Sequence, residues 1–181
     1  MLAEKYLVYL GYLMDHGLYS FITDKLPDNY KRVGLNSLLF PKARIIYSKR
    51  NPLDNAISQF NLLFSGRYGY SCDLFNLGVR HVEMERLMAH WKSLRPQHIL
   101  DIQYETLIHD QEPQTRRLLD FLDLQWDERC LRFFESERSV HTASHSQVRK
   151  PMYSGSIGRW KHYEKHLEPL YRGLRWPQGS Y

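Results

Sequence analysis

Arg50 stands two residues beyond the run Ala43-Arg44-Ile45-Ile46-Tyr47-Ser48, with Lys49 between and Ser58 eight residues further on. Asn51-Pro52, between them, has the composition of a helix start. Asparagine accepts from first-turn amides, and proline's fixed φ and missing N–H cost nothing at the first helical position. A strand leading into a helix N-terminus sets free N–H groups and the positive end of a dipole at one point, which attracts an anion. Ligands of open α/β sheets bind outside the carboxyl ends of the strands, where Arg50 stands. A guanidinium fork with a hydroxyl about two turns along the helix suits a phosphate monoester. A surface arginine and an ordinary helix serine fit the same spacing.

Further polar residues stand at element ends. Lys25 lies in Thr23-Asp24-Lys25-Leu26-Pro27, and Tyr104 closes the alternating run His98-Ile99-Leu100-Asp101-Ile102-Gln103-Tyr104. Ser144, Arg149 and Lys150 fall in the polar stretch 136–157, a loop dense in hydroxyls and cations of the kind that binds anions. The plain alternatives are a lysine near a turn, a packed aromatic and an exposed basic loop. No metal site is indicated. His141 and His145 lie in that loop without an acidic partner, and His162, Glu164 and His166 lack the order of a zincin helix. There is no Gly-x-Ser-x-Gly elbow.

The elements that must position these residues alternate between helical and strand-like patterns, which points to an α/β domain. Leu2 to Asp15 reads as a helix with Leu2, Tyr6, Tyr9, Leu10 and Leu13 on one face. Phe21-Ile22-Thr23 reads as a short strand, and Asp28 as the cap of a helix running to about Phe40. Ala43 to Ser48 suits a buried parallel strand, and the helix opened by Asn51 runs to about Phe64. Ser65 to Cys72 is a loop, Asp73 to Ser93 a long helix and His98 to Tyr104 a strand. Glu112-Pro113 opens another helix, Asp127 caps a further one through Phe134, and Tyr163 to about Leu174 forms the last. The irregular stretch 136–157 is long for a plain connection, and such loops are usually functional or disordered.

With 181 residues the chain is long enough for one domain, 1–181, with a real core. Its 43% hydrophobic content excludes a disordered chain. No apolar run reaches the ~20 residues of a membrane span, and the N-terminus lacks a signal-peptide pattern. Cys72 and Cys130, without CxxC spacing, read as reduced thiols of a cytoplasmic protein. The net charge of +5 favours anionic partners such as nucleotides, sulfated or phosphorylated substrates or nucleic acid, and does not choose among them. No Lys/Arg block is dense enough for a nucleic-acid arm.

Lys49-Arg50-Asn51-Pro52-Leu53-Asp54-Asn55-Ala56-Ile57-Ser58 resembles the 3′-phosphate-binding motif of sulfotransferases, an arginine after a strand and a serine eight residues later. The branch it is most similar to holds the tyrosylprotein sulfotransferases and bacterial tetratricopeptide-repeat sulfotransferases, and the likeness runs from about Phe21 to Leu174. It implies a P-loop-NTPase-like fold, with a central parallel sheet flanked by helices. It also implies transfer of a sulfuryl group from 3′-phosphoadenylyl sulfate to a hydroxyl acceptor, a protein tyrosine or a small molecule, leaving adenosine 3′,5′-bisphosphate and needing no metal. By the resemblance, Arg50 and Ser58 hold the 3′-phosphate. Lys25, in a segment similar to Asn-Lys-Asp-Pro, stabilises charge on the leaving phosphate. Tyr104, in a Tyr-Glu-x-Leu pattern, contacts the adenine. Thr142 to Pro151 resembles Ser-x-x-Gln-Val-x-Lys-Pro, which assigns Ser144 to the sulfuryl end and Lys150, with Arg149, to the 3′-phosphate side. Ser156-Ile157-Gly158-Arg159-Trp160 is similar to the closing segment of that branch, with Trp160 a packing residue.

The same resemblance implies a first strand and a loop of the form Pro-Arg-Ser-Gly-Thr for the 5′-phosphosulfate, followed by a helix that leads to a glutamate base. Nothing upstream of Lys25 matches it, and the chain reads as an N-terminally truncated sulfotransferase. Glu4 and Asp15 have no motif support as substitute bases. Two other classes stay open: a degenerate, non-catalytic nucleotide-binding or interaction module, and, prompted by charge alone, a kinase-like or nucleic-acid-binding protein.

Overall fold

The structure, a computed structural model, describes residues 2–13, 21–62, 69–136 and 149–176. Contacts divide the chain into two compact units, Met1–Ala43 with Met84–His98, and Arg44–Glu83 with Ile99–Tyr181. Among the described residues no helix is long and apolar enough to cross a membrane.

In the first unit, α1 (Leu2–Leu13) begins where the sequence places it. Its expected inward face is not formed by Leu2 and Tyr9, which are 61% and 62% exposed. Tyr6 does turn inward. Its ring lies 5.6 Å from that of Phe40, and its hydroxyl donates to Asp24. That hydrogen bond, with burial and the Asp24 charge, pushes the Tyr6 phenol up to about 12. It also ties down the residue preceding Lys25.

Phe21-Ile22-Thr23 is not a strand; residues 21–26 form no regular element. A strand needs a ladder partner, and Phe21 and Ile22 lie exposed. Nor does Asp28 cap a helix. Pro27 takes the first position of a 3-10 helix, Pro27–Arg32, after Leu26, and the Asp28 carboxylate pairs with Lys31 at 3.2 Å. Helix α2 (Val33–Leu39) follows as a separate piece. Gly34 lets it lie against Trp91, whose ring would be 2.5 Å from an added Cβ. Arg95 donates to the carbonyls of Ser37 (3.1 Å) and Pro41 (2.6 Å), satisfying acceptors at and beyond the helix end.

In the second unit, Ile45–Lys49 forms β1 and Pro52–Phe60 forms α3. Leu74–Leu94 forms α4, which also supplies residues of the first unit, and Ile99–Gln103 forms β2. The strands pair in parallel, Ile45 opposite Ile99 and Lys49 opposite Gln103. β1 was expected to be buried, but of its residues only Tyr47 is, and Ile46 is 44% exposed. Among the described residues the sheet has two strands, so β1 has one neighbour and one covered face. The expected loop at 65–68 lies outside the described residues; 69–72 forms a 3-10 turn.

Tyr104 does not end β2 but opens the short helix α5 (Tyr104–His109), which leads into α6 (Gln111–Phe121). Asp127 caps as expected, accepting the Arg129 N–H at 2.8 Å at the start of a 3-10 helix, Glu128–Glu135. The single closing helix is instead a 3-10 helix, Arg159–His166, followed by α7 (Glu168–Gly173). Pro169, in the first turn of α7, has no N–H to carry a helix through that point.

The core of this unit is apolar at helical spacing. Leu53, Ala56 and Ile57 of α3 pack with Leu77 of α4 and with Leu167, Leu170, Tyr171 and Leu174, and Trp160 packs against them. The α3 face that carries this core therefore also orients the turn at its N-terminus, which holds Arg50.

Candidate functional site

The turn between β1 and α3 is built by local bonds first. The Asn51 side chain accepts the N–H groups of Leu53 (3.0 Å) and Asp54 (3.2 Å), and the Asn55 N–H goes to the Asn51 carbonyl at 2.9 Å. Pro52 has no N–H. The first-turn donors of α3 are thus already used, which corrects the picture of a helix N-terminus with free amides for an anion. Binding at this turn has to come from side chains.

A carboxylate from the neighbouring turn braces the site. Glu105 accepts the Asn51 N–H at 2.8 Å and the side-chain amide of Gln103. Burial alone pushes the Glu105 carboxyl up, but those bonds, its own N–H and the Arg50 charge outweigh it and hold it below its ordinary value. A lowered carboxyl pKa means the unfolded chain takes up the proton first. The stabilisation is therefore complete above the unfolded value and is lost as pH falls through the lower folded one. Melting temperature measured down an acid series should fall more steeply for the wild type than for Glu105→Gln. Parallel curves would remove Glu105 from the brace.

Arg50 itself is half-buried and held on two sides. Its Nη2 donates to the Ser156 carbonyl at 3.0 Å, and its guanidinium lies 5.0 Å from the centre of the Tyr104 ring. The Tyr104 hydroxyl and Ser156 Oγ are 3.0 Å apart. Arg50 Nε is buried with no hydrogen-bond partner among the described residues. An unmatched buried donor costs about 1–3 kcal/mol, so an anion oxygen within reach of the fork is the kind of partner this group lacks. Lys49 is directed elsewhere, its ammonium 4.0 Å from Asp101.

Asp54 is 2% exposed and accepts the N–H groups of Gly158 (2.7 Å) and Trp160 (3.0 Å). Ser58 is half-buried on α3, one turn beyond Asp54. Of the residues singled out in the sequence, Arg50 and Tyr104 are in contact. Arg149 and Lys150 are exposed in the same unit. Lys25 is exposed in the irregular segment 21–26 of the first unit, and Ser144, Asp15, His141 and His145 lie outside the described residues. Glu4 is exposed on α1. Among the described residues no three His, Cys, Asp or Glu side chains could hold a metal ion.

Asp54, Glu105 and Ser156, which lie inside the motifs quoted from the sequence but were given no role there, join the site. The available signals were an aspartate in the first turn of an otherwise apolar helix face and a glutamate following Tyr104.

Residues 3–128 match the sequence model of a sulfotransferase family. Over 152 residues the chain is 40% identical to an uncharacterized protein of Aquifex aeolicus (strain VF5), an alignment covering 82% of this chain and 20% of that protein. The chain thus spans about a fifth of that relative's length.

Proposed function

The chain belongs to the sulfotransferase family, and from that premise we propose that Arg50 and Ser58 bind the 3′-phosphate of 3′-phosphoadenylyl sulfate for sulfuryl transfer to a hydroxyl acceptor. The observation that carries this is the Arg50 fork at the carboxyl end of a parallel strand, fixed by Tyr104 and Ser156 and with Nε unmatched. A phosphate monoester is the anion that a guanidinium fork serves best. Tyr104 then lies on the nucleotide side, and Arg149 and Lys150 add positive charge towards the same phosphate. The two units are read as parts of one domain of the P-loop-NTPase-like kind.

In the transfer, the bond between the sulfuryl sulfur and the donor's bridging oxygen breaks. A new sulfur–oxygen bond forms to the acceptor, whose hydroxyl proton passes to water, and adenosine 3′,5′-bisphosphate leaves. Lys25 is assigned to the charge growing on the leaving phosphate oxygen, by analogy with phosphoryl transfer. Ser144 is assigned to the sulfuryl end. The segment from Ser144 to Pro151 supports a protein tyrosine as acceptor through its likeness to the tyrosylprotein branch.

Calorimetry with adenosine 3′,5′-bisphosphate and adenosine 5′-phosphate tests the nucleotide assignment. The bisphosphate should bind at least about tenfold more tightly, the worth of one charge-assisted contact. Equal affinities, or none, would sink it. A second reading is a nucleotide-binding module without transfer. Tight bisphosphate binding without movement of labelled sulfuryl groups to a tyrosine peptide would select it.

A further inference from the structure

We infer that Asp54 is a positioning residue that sets the aim of the Arg50 fork by fastening the segment Ser156–Trp160; this rests on the 3′-phosphate role proposed for Arg50. Asp54 and Arg50 stand four residues apart at the head of α3, Arg50 just outside it and Asp54 in its first turn. From there they reach the same distant segment. Both Asp54 oxygens are engaged, one by the Gly158 N–H and the other by the Trp160 N–H. Those two donors belong to the start of the 3-10 helix Arg159–His166, where the amides have no partner within the helix.

Gly158 adopts a left-handed φ of 73°, so the chain turns sharply between the fastened amides and Ser156. Ser156, two residues upstream, then presents its carbonyl to Arg50 Nη2 and its hydroxyl to Tyr104. The bonds close a ring: Arg50, the first turn of α3, Asp54, Gly158, Ser156 and back to Arg50. Trp160, packed against the core, anchors the far side of the ring.

A buried carboxylate accepting two backbone donors has no neutral equivalent. Asparagine keeps one acceptor oxygen but turns an NH2 group towards the second N–H, and two donors then face each other. Asp54→Asn should therefore release one end of the Gly158–Trp160 hold, shift Ser156 and leave the guanidinium less well fixed. Asp54 is 2% exposed with both oxygens engaged, so its effect passes through what Arg50 recognises.

The test is calorimetry of Asp54→Asn with adenosine 3′,5′-bisphosphate and adenosine 5′-phosphate, alone and combined with Arg50→Ala. The expected result is a loss of about tenfold for the bisphosphate, no comparable loss for the monophosphate, and no further loss of 3′ preference once Arg50 is absent. Equal losses on both nucleotides, unchanged affinity, or losses that add in the double variant would overturn the inference. Should Asp54→Asn fail to fold, Gly158→Ala decides. It strains the left-handed turn between Ser156 and the amides held by Asp54, with only the Lys161 side chain near the added carbon, and an unchanged 3′ preference would overturn the inference. A wild type with no 3′ preference overturns the proposed function and this inference with it. A wild type with that preference, beside indifferent variants, overturns the inference alone.

Discussion

Arg50→Ala should weaken binding of adenosine 3′,5′-bisphosphate by roughly a hundredfold or more and leave the melting temperature nearly unchanged. Two charge-assisted hydrogen bonds from a fork to a phosphate contribute on the order of 3 kcal/mol, and each 1.4 kcal/mol is a factor of ten. Stability should move little because the changes oppose one another. The variant loses the bond to the Ser156 carbonyl and the contact with the Tyr104 ring. It also removes a buried Nε with no partner among the described residues, whose burial is unfavourable. Arg50→Lys should fall between, since an ammonium keeps the charge but has no planar pair of donors and stacks less well on an aromatic ring. Calorimetry and a thermal melt on the same preparations separate these effects. Alanine binding as tightly as arginine would remove the 3′-phosphate assignment.

Gly173→Ala should destabilise the second unit by about 3 kcal/mol or more, seen as a lower urea midpoint with little change in slope. A Cβ on Gly173 would fall onto the Phe75 carbonyl oxygen, 3.0 Å from the carbonyl carbon and 3.1 Å from the Gly78 Cα. The reciprocal Cβ on Gly78 would lie 2.7 Å from the Gly173 carbon, the Leu170 oxygen and the Leu174 nitrogen. All of these are backbone atoms, so no side chain can swing aside. α4 and α7 would have to separate, and Leu77, Leu167 and Leu170 would lose their close packing at that crossing. The gain of about 1 kcal/mol that alanine brings a helix is too small to offset this. Gly69→Ala is the control, because nothing lies within 4 Å of the added carbon. An unchanged midpoint for Gly173→Ala would mean that the helices do not need this approach.

Features legible in the sequence are those whose partners are near in the chain. The Asn51 cap, Pro52 at the first helical turn and the Asp127 cap each act within about three residues, and the pattern of residue types announces them. β1, α4 and β2 were legible from apolar patterning and from the breaks at Pro41 and Pro96. The failures share a cause. Phe21-Ile22-Thr23 has strand composition, but a strand exists only with a partner. Leu2 and Tyr9 fit a helical stripe, but a stripe faces inward only where something covers it. Asp28 lost its cap position because Pro27 began the helix one residue earlier.

By itself, then, the sequence determined that a strand ends at an arginine and passes through Asn51-Pro52 into a helix carrying Ser58. These features follow from backbone dihedrals and capping bonds a few residues long. Family membership supplies the premise from which the chemistry of that turn is proposed. Only the tertiary structure decided that Arg50 is gripped by Ser156 and faces Tyr104. It alone showed Glu105 bracing the turn and Asp54 fastening the closing segment. Those partners lie 54, 104 and 106 residues apart in the chain. Packing brings them together, and at such separations residue types leave no periodic trace.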